Sequence, residues 1–380
     1  DHLVLGEAEL TLPPFLEDLK NGRAKKIYRA SGFCDLHQTP FPLWHLIPIK
    51  KYASMSIQFS RGCPFNCEFC NVTALFGHRS RLKTPQQIIS ELDRIYASGW
   101  RGSIFFVDDN FIGNKQYLKT HLLPALIEWR KDKKGCVFFT EASINLADDP
   151  ELLDMMVTAG FDSVFIGIES PDEVSLTECH KIQNKNRDLL ESVAIIHRSG
   201  LQVMGGFIVG FDSDRPSIFQ RQIDFIQKSG IVTAMVGMLQ APPGTRLFDR
   251  LQRESRVVNT FSGDNVDGTT NIIPRMGLDR LLEGYQLIMK QIYSPKNYYR
   301  RVRTLLEDLK APVINQPINI QRFISFFRSA LRLGVLGKER FHYWQLMLWT
   351  LFCKPRQIPV AITLSIYGYH YRRICELYIL

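Results

Sequence analysis

Short apolar, β-branched or aromatic runs recur along the middle of the chain. They lie at MSIQFS (55–60), SIFFVD (103–108), CVFFTEA (136–142), SVFIGIE (163–169), QVMGGFIVG (202–210) and TAMVGML (233–239). Each is strand-length and bounded by turn residues, and the stretches between them follow a helical period. TPQQIISELDRIYASG (84–99) is the clearest helix, with Ile88, Leu92 and Ile95 on one face. Thr84 is placed to cap it, Pro85 suits its first turn, Gln87 completes a capping box and Gly99 ends it. DPELLDMMVTAG (149–160) and NRDLLESVAIIHRSG (186–200) repeat the plan, each closing on Gly.

Strands alternating with helices predict an α/β protein built on a parallel sheet. Six units are fewer than the eight of a closed barrel, so the expected shape is a partial (β/α)6 TIM-like barrel with an open side. In such folds the chemistry sits at the C-terminal ends of the strands. The polar residues expected there are Arg61, Asp108, Asp109, Asn110, Glu141, Ser143, Glu169, Ser170 and Asp212.

Five segments follow. Residues 1–22 read as a strand, a turn and a helix without earlier partners. Such short elements cannot bury their own faces, and this points to the end of a truncated preceding domain. Residues 23–53, with the Pro-punctuated QTPFPLWHLIP (38–48), read as an irregular linker. The barrel core spans 54–240, a mixed C-terminal extension 241–311, and a helical, aromatic tail 312–380. The extension contains a polar loop at SGDNVDGTTN (262–271).

The 380 residues suffice for one large domain and a smaller appendage, and 45% hydrophobic with 22% charged residues is ordinary for a folded chain. The net charge of +9 is uneven. From Lys296 onward there are 14 basic and 4 acidic residues, against 33 and 34 in the rest. The excess belongs to the tail, where it reads as a solvated helical face or as a surface for a membrane or a nucleic acid. No helix-turn-helix or finger spacing supports nucleic acid, and none is expected as a partner. Five of eight cysteines are scattered, unlike the framework of a secreted disulfide scaffold, so a cytoplasmic location is expected.

The other three cysteines, Cys63, Cys67 and Cys70, stand in RGCPFNCEFC (61–70) directly after the first strand. Three thiolates at C-x3-C-x2-C can wrap one corner of a four-iron cluster and leave the fourth iron open. A structural zinc site in a nucleic-acid module is the alternative; it needs a fourth ligand, for which only His78 lies near.

This motif, with Phe69 just before the last cysteine, resembles the radical S-adenosylmethionine (SAM) superfamily. The resemblance implies a 4Fe–4S cluster on Cys63, Cys67 and Cys70. It also implies SAM chelated at the open iron and cleaved reductively to a 5′-deoxyadenosyl radical, with electrons from a donor such as flavodoxin or ferredoxin. Phe69 would pack near the adenine. VDDNF (107–111) resembles the family's contact to the cofactor's amino group, which implicates Asp108, Asp109 and Asn110. GIES (167–170) resembles its ribose and methionine contacts, which implicates Gly167, Glu169 and Ser170; Ser143 is a further candidate. GGFIVGFD (205–212) resembles its glycine-bearing fifth strand. For each polar residue a barrel-mouth or capping role is the alternative. No catalytic base is named.

Over the whole chain, FSRGCPFNCEFC, FFVDDNFIGN, TEASINLADD, FDSVFIGIES, GGFIVGFDSD and IYSPKNYYRRV (292–302) resemble cobalamin-binding-domain radical enzymes with a C-terminal extension, the hopanoid methylases among them. That resemblance implies cobalamin-dependent methylation of an unactivated carbon in a small molecule or lipid. Residues 1–22 would then be the end of the cobalamin-binding domain. Relatives with another outcome are the alternative, a rearrangement or aminocarboxypropyl transfer; those that transfer an aminocarboxypropyl group carry clustered C-terminal cysteines, whereas Cys353 and Cys375 stand far apart. In the tail, YWQLMLWTLFC (343–353) and IPVAITLSIYGYHYRR (358–373) fall short of the ~20 apolar residues of a membrane span. They read as helices packed on the barrel or as peripheral membrane contacts.

Overall fold

The computed structural model describes residues 1–263, 268–310 and 320–379, the side chains of 320–323 excepted. Six strands form one sheet: β1 (Ser54–Ile57), β2 (Ser103–Phe106), β3 (Val137–Ala142), β4 (Phe161–Glu169), β5 (Gln202–Val209) and β6 (Ala234–Met238). They pair in sequence order and every pairing is parallel, from Ser54 opposite Ser103 to Gly205 opposite Ala234. Each run read as a strand contributes one. The helices between them are α1 (Pro85–Ala97), α2 (Leu123–Arg130), α3 (Pro150–Ala159), α4 (Leu189–Ser199) and α5 (Ile218–Ser229). β1 and β6 do not pair, which leaves the partial barrel open.

Local sequence explains these elements. Thr84 and Gln87 make both bonds of the capping box, and Gly99 turns the chain out of α1 at φ 91°. Ile88, Leu92 and Ile95 are buried, as their spacing requires. Between the sheet and the helices Phe106, Phe138 and Phe161 pack in T-shaped or tilted pairs, with ring centroids 5.2 to 5.5 Å apart, and Trp129 of α2 lies 6.1 Å from Phe138.

The N-terminal segment differs from the expectation. Strand Leu3–Leu5 does have a partner within the chain: Ile27–Arg29 pairs with it in parallel, inside the stretch expected to be an irregular linker. Three residues with only Tyr28 buried show no readable period. The intervening helix Ala8–Lys20 brings Glu9 to the barrel. Arg61 donates to Glu9 at 2.7 Å and Arg81 to Glu7 at 2.6 Å. Burial raises the Glu7 pKa, yet the bonds from Arg81 and the Cys34 N–H outweigh it and hold Glu7 at about 2.

After β6 come α6 (Arg246–Arg253), α7 (Leu278–Ile292), α8 (Pro295–Asp308), α9 (Ile320–Ser329), α10 (Arg340–Cys353) and α11 (Ile358–Tyr378). The IYSPKNYYRRV segment clamps them to the barrel. Tyr293 donates its hydroxyl to Ala234 O on β6 at 2.7 Å, and Tyr298 donates to Leu364 O on α11 at 2.6 Å. The tail is helical, as its pattern predicts. The expected polar loop includes residues 264–267 and the expected boundary at 311/312 falls within 311–319; both lie outside the described residues.

Candidate active site

The three motif cysteines sit on a loop at the C-terminal end of β1, pinned at its base. Ser60–Arg61 pairs antiparallel with Arg81–Leu82 and closes the loop. Gly62 stands at φ 95°, and a Cβ there would lie 2.5 Å from Arg79 O, so only glycine fits. Within the loop Cys63 N–H donates to Gly77 O at 3.3 Å and Cys70 N–H to Cys67 O at 3.3 Å.

The acidic pair after β2 supports that base. Asp108, fully buried, accepts the N–H of Phe59 at 3.2 Å and that of Ser60. Asp109 accepts the N–H of Gly62 at 3.0 Å. Asn110 accepts the N–H of Ser143 at 3.1 Å, and its amide lies 4.0 Å from Cys63 Sγ. Asp108, Asp109, Asn110 and Ser143 are thus one connected brace beneath the thiol loop, and the Asp108 carboxylate is engaged by backbone. Burial pushes the Asp108 carboxyl up to about 7 despite those bonds.

The end of β4 supplies the opposite wall. The register slips between Gly167 and Glu169, and Glu169 adopts φ 62°. The bulge turns its carboxylate onto Lys181, Oε1 to Nζ 2.7 Å. Burial opposes the Lys181 charge, but Glu169 and the nearby thiols raise its pKa overall. Gly167 leaves room for this pair, since a Cβ there would collide with Glu169 Oε1. Ser170 is buried and accepts the Asp172 N–H at 3.1 Å. The Phe69 ring lies 5.9 Å from Lys181 Nζ and 6.3 Å from the Phe211 ring. Asp212 turns away from the thiols and pairs with Arg256 at 2.6 Å and Arg250 at 2.8 Å.

The donor set fits an iron–sulfur cluster. All eight cysteines are unbridged. Burial pushes the Cys70 thiol up to about 11 and raises Cys63, so these sulfurs need cationic partners to ionise. The loop supplies donors: the N–H groups of Phe65 and Val72 face Cys63 and Cys70, and Lys181 lies beside Cys67 and Cys70. Gln183 Nε2 is 3.8 Å from Cys67 Sγ, and its buried Oε1 has no partner. Among the described residues no three His, Cys, Asp or Glu side chains gather as they would around a single metal ion.

Lys181 and Gln183 were not legible beforehand, because they come from an irregular stretch without periodicity. Glu141 was visible as a strand-end polar residue. Here burial, then the nearby Asp109 charge, pushes it up to about 7.

An open parallel sheet with a thiol loop after its first strand defines a class of redox-cofactor enzymes, and comparison with known proteins gives the family. The model of the Radical SAM superfamily matches residues 57–226, and a domain of unknown function (DUF4070) matches residues 245–379. An uncharacterised methyltransferase of Synechocystis sp. is 40% identical over 99% of this chain and 71% of its own length. The hopanoid C-2 methylase of Rhodopseudomonas palustris is 34% identical over 92% of this chain and 67% of its own length. Among solved structures, the cobalamin-dependent SAM radical enzyme OxsB, with aqua-cobalamin and SAM bound, superposes with a TM-score of 0.60 at 15% identity. That match covers 99% of this chain and 68% of OxsB, and it speaks for a shared fold. The chain is an enzyme and belongs to the radical SAM superfamily, among its methyltransferases.

Proposed function

We propose that this enzyme methylates an unactivated carbon of a hydrophobic small molecule or lipid, with a 4Fe–4S cluster, SAM and cobalamin. The observation that carries the reading is the unbridged trio Cys63, Cys67 and Cys70, on a loop braced by Asp108 and Asp109 and flanked by the Glu169–Lys181 pair. When bound, the cluster supplies the electron that cleaves SAM and the corrinoid supplies the methyl group. The chain's own residues hold and shield. Cys63, Cys67 and Cys70 would ligate the cluster, while the Phe65 and Val72 N–H groups and Lys181 offset thiolate charge. Phe69 and Phe211 line an apolar wall beside Lys181 that keeps water from the reacting atoms. In this reading Glu169, Ser170, Gly167, Ser143 and Asn110 would contact SAM.

Cobalamin dependence is supported by the likeness to OxsB and by the small α/β unit of residues 3–29. Its Glu7 and Glu9 grip Arg61 and Arg81 at the base of the thiol loop. In this reading that unit belongs to a corrinoid-binding part set against the cluster. A lipid substrate is supported by the likeness to the Rhodopseudomonas palustris protein. The scattered, unbridged cysteines accord with a reducing cytoplasm.

The test is anaerobic reconstitution with iron and sulfide, then reductant and SAM, with nucleoside products identified by mass spectrometry. The expected products are 5′-deoxyadenosine and, dependent on cobalamin and substrate, S-adenosylhomocysteine. Methylthioadenosine in their place would replace methylation by aminocarboxypropyl transfer, and an iron-loaded protein without any cleavage would overturn the reading.

A further inference from the structure

The C-terminal helices carry an apolar face that the rest of the described chain leaves uncovered. α10 buries Tyr343, Leu346, Met347 and Thr350. Its opposite face is no less apolar: Phe341 is 74% exposed and Phe352 80%, with Trp344 and Leu348 exposed between them. These positions fall at i, i+3, i+7 and i+11, one stripe of a helix. A helix on a water-facing surface normally turns polar residues outward there. The preceding helical segment repeats the arrangement, with Phe327 65% exposed and Leu331 and Val335 following it at four-residue spacing. The indole N–H of Trp344 donates to Gly334 O at 2.9 Å, which ties the two helices together where Leu336 projects into solvent. The two stripes are therefore joined at this turn into one patch, larger than the isolated apolar side chains of an ordinary monomer surface.

The exposed charges carried by these helices are mainly basic; on the adjoining α8, Glu307 and Asp308 are exposed near Lys354, Glu307 paired with Arg303 at 3.0 Å. Arg328, Lys338, Arg340 and Arg356 are exposed. The described stretch from Ile320 onward has two carboxylates, and both are already paired. Glu339 is buried and accepts from Arg372 at 2.8 Å, and Glu376 pairs with Arg373 at 2.7 Å. A basic rim around an apolar centre repels a second copy of itself and complements a plane of anionic headgroups over hydrocarbon. Among the described residues no helix is long and apolar enough to cross a membrane, so contact at this face is peripheral.

We propose that this face, formed by residues 327–336 and 341–352, docks on an anionic lipid bilayer. Phe327, Phe341 and Phe352 enter the acyl boundary and the Arg and Lys side chains meet the headgroups. Docking deepens the reading of a hydrophobic substrate but does not depend on it, because it is measured without cofactors or turnover.

The full chain is sedimented with vesicles of phosphatidylcholine alone and of phosphatidylcholine mixed with phosphatidylglycerol. It should pellet with the mixed vesicles and be released by salt. F341S/L348S/F352S should bind about tenfold or more weakly, given the loss of three interfacial anchors, while its circular dichroism stays that of the parent. R328Q/K338Q/R340Q should lose the preference for the anionic lipid. A parent that stays in the supernatant with mixed vesicles overturns the proposal. So does a triple serine variant that binds as well as the parent. A parent dimer on gel filtration that the serine variant converts to monomer, without vesicle binding, assigns the face to a second copy and also overturns it.

Discussion

Lys181 and Glu169 meet at 2.7 Å at the end of β4, and each neutralises the other's charge. The bulge at the end of β4 aims Glu169, and the loop after the short helix Glu173–Glu178 delivers Lys181 over Gly167. Both side chains are largely buried, so removing one strands the other. Lys181→Met should lose on the order of 3 kcal/mol by urea denaturation of the cofactor-free protein. Lys181→Met combined with Glu169→Gln should recover much of that. A double variant no better than the single one would show that the pair is not coupled.

Gly62→Ala tests the base of the thiol loop. Its φ of 95° and the 2.5 Å approach to Arg79 O leave no room for a methyl group. After anaerobic reconstitution the variant should hold well under half the iron per chain of the parent, while its far-ultraviolet circular dichroism is unchanged. Equal iron content would mean that the loop tolerates another backbone path.

Glu141 makes a pH prediction. Burial and the nearby Asp109 raise it from 4.5 to about 7 in the folded chain. The folded state therefore keeps a proton that the unfolded state gives up. Its stability is undisturbed below about pH 4.5 and declines as pH rises toward 7. Glu141→Gln should stabilise the cofactor-free protein by roughly 2 kcal/mol at pH 8 and hardly at all at pH 4.5. Denaturation midpoints across that range decide it.

Arg301 is fully buried, and none of its hydrogen-bond partners is a carboxylate. It donates to Ile292 O at 2.9 Å, to Val232 O at 3.2 Å and to the Gln227 side chain, between the rings of Tyr293 and Tyr298. Its fork joins α8 to the end of α7 and to the chain entering β6. Lysine offers one ammonium where two guanidinium nitrogens are used. Arg301→Lys should cost about 2 kcal/mol, and Arg301→Ala more, by thermal or urea unfolding, since alanine leaves the acceptors unpaired.

Much of the architecture was legible because it is locally encoded. The six strands appear as runs of apolar residues, and α1 announces both ends through Thr84, Gln87 and Gly99. Strand Ile27–Arg29 was missed, since three residues cannot display an alternation. The roles after β2 were read only in part. VDDNF shows that acceptors are present, but it does not show that Asp108 spends its oxygens on Phe59 and Ser60, 49 and 48 residues away.

What the sequence alone determined is the thiol set and the βα rhythm, since ligand spacing and hydrophobic period are properties of neighbours along the chain. Tertiary structure decided which charges meet: Glu7 with Arg81 across 74 residues, and Glu68 with Arg250 across 182. It also decided that the apolar stripe of α10 faces outward, where helical periodicity alone could not choose between a packed face and an open one. Hydrogen bonds, ion pairs and burial depend on distance through space, and only the folded chain sets those distances.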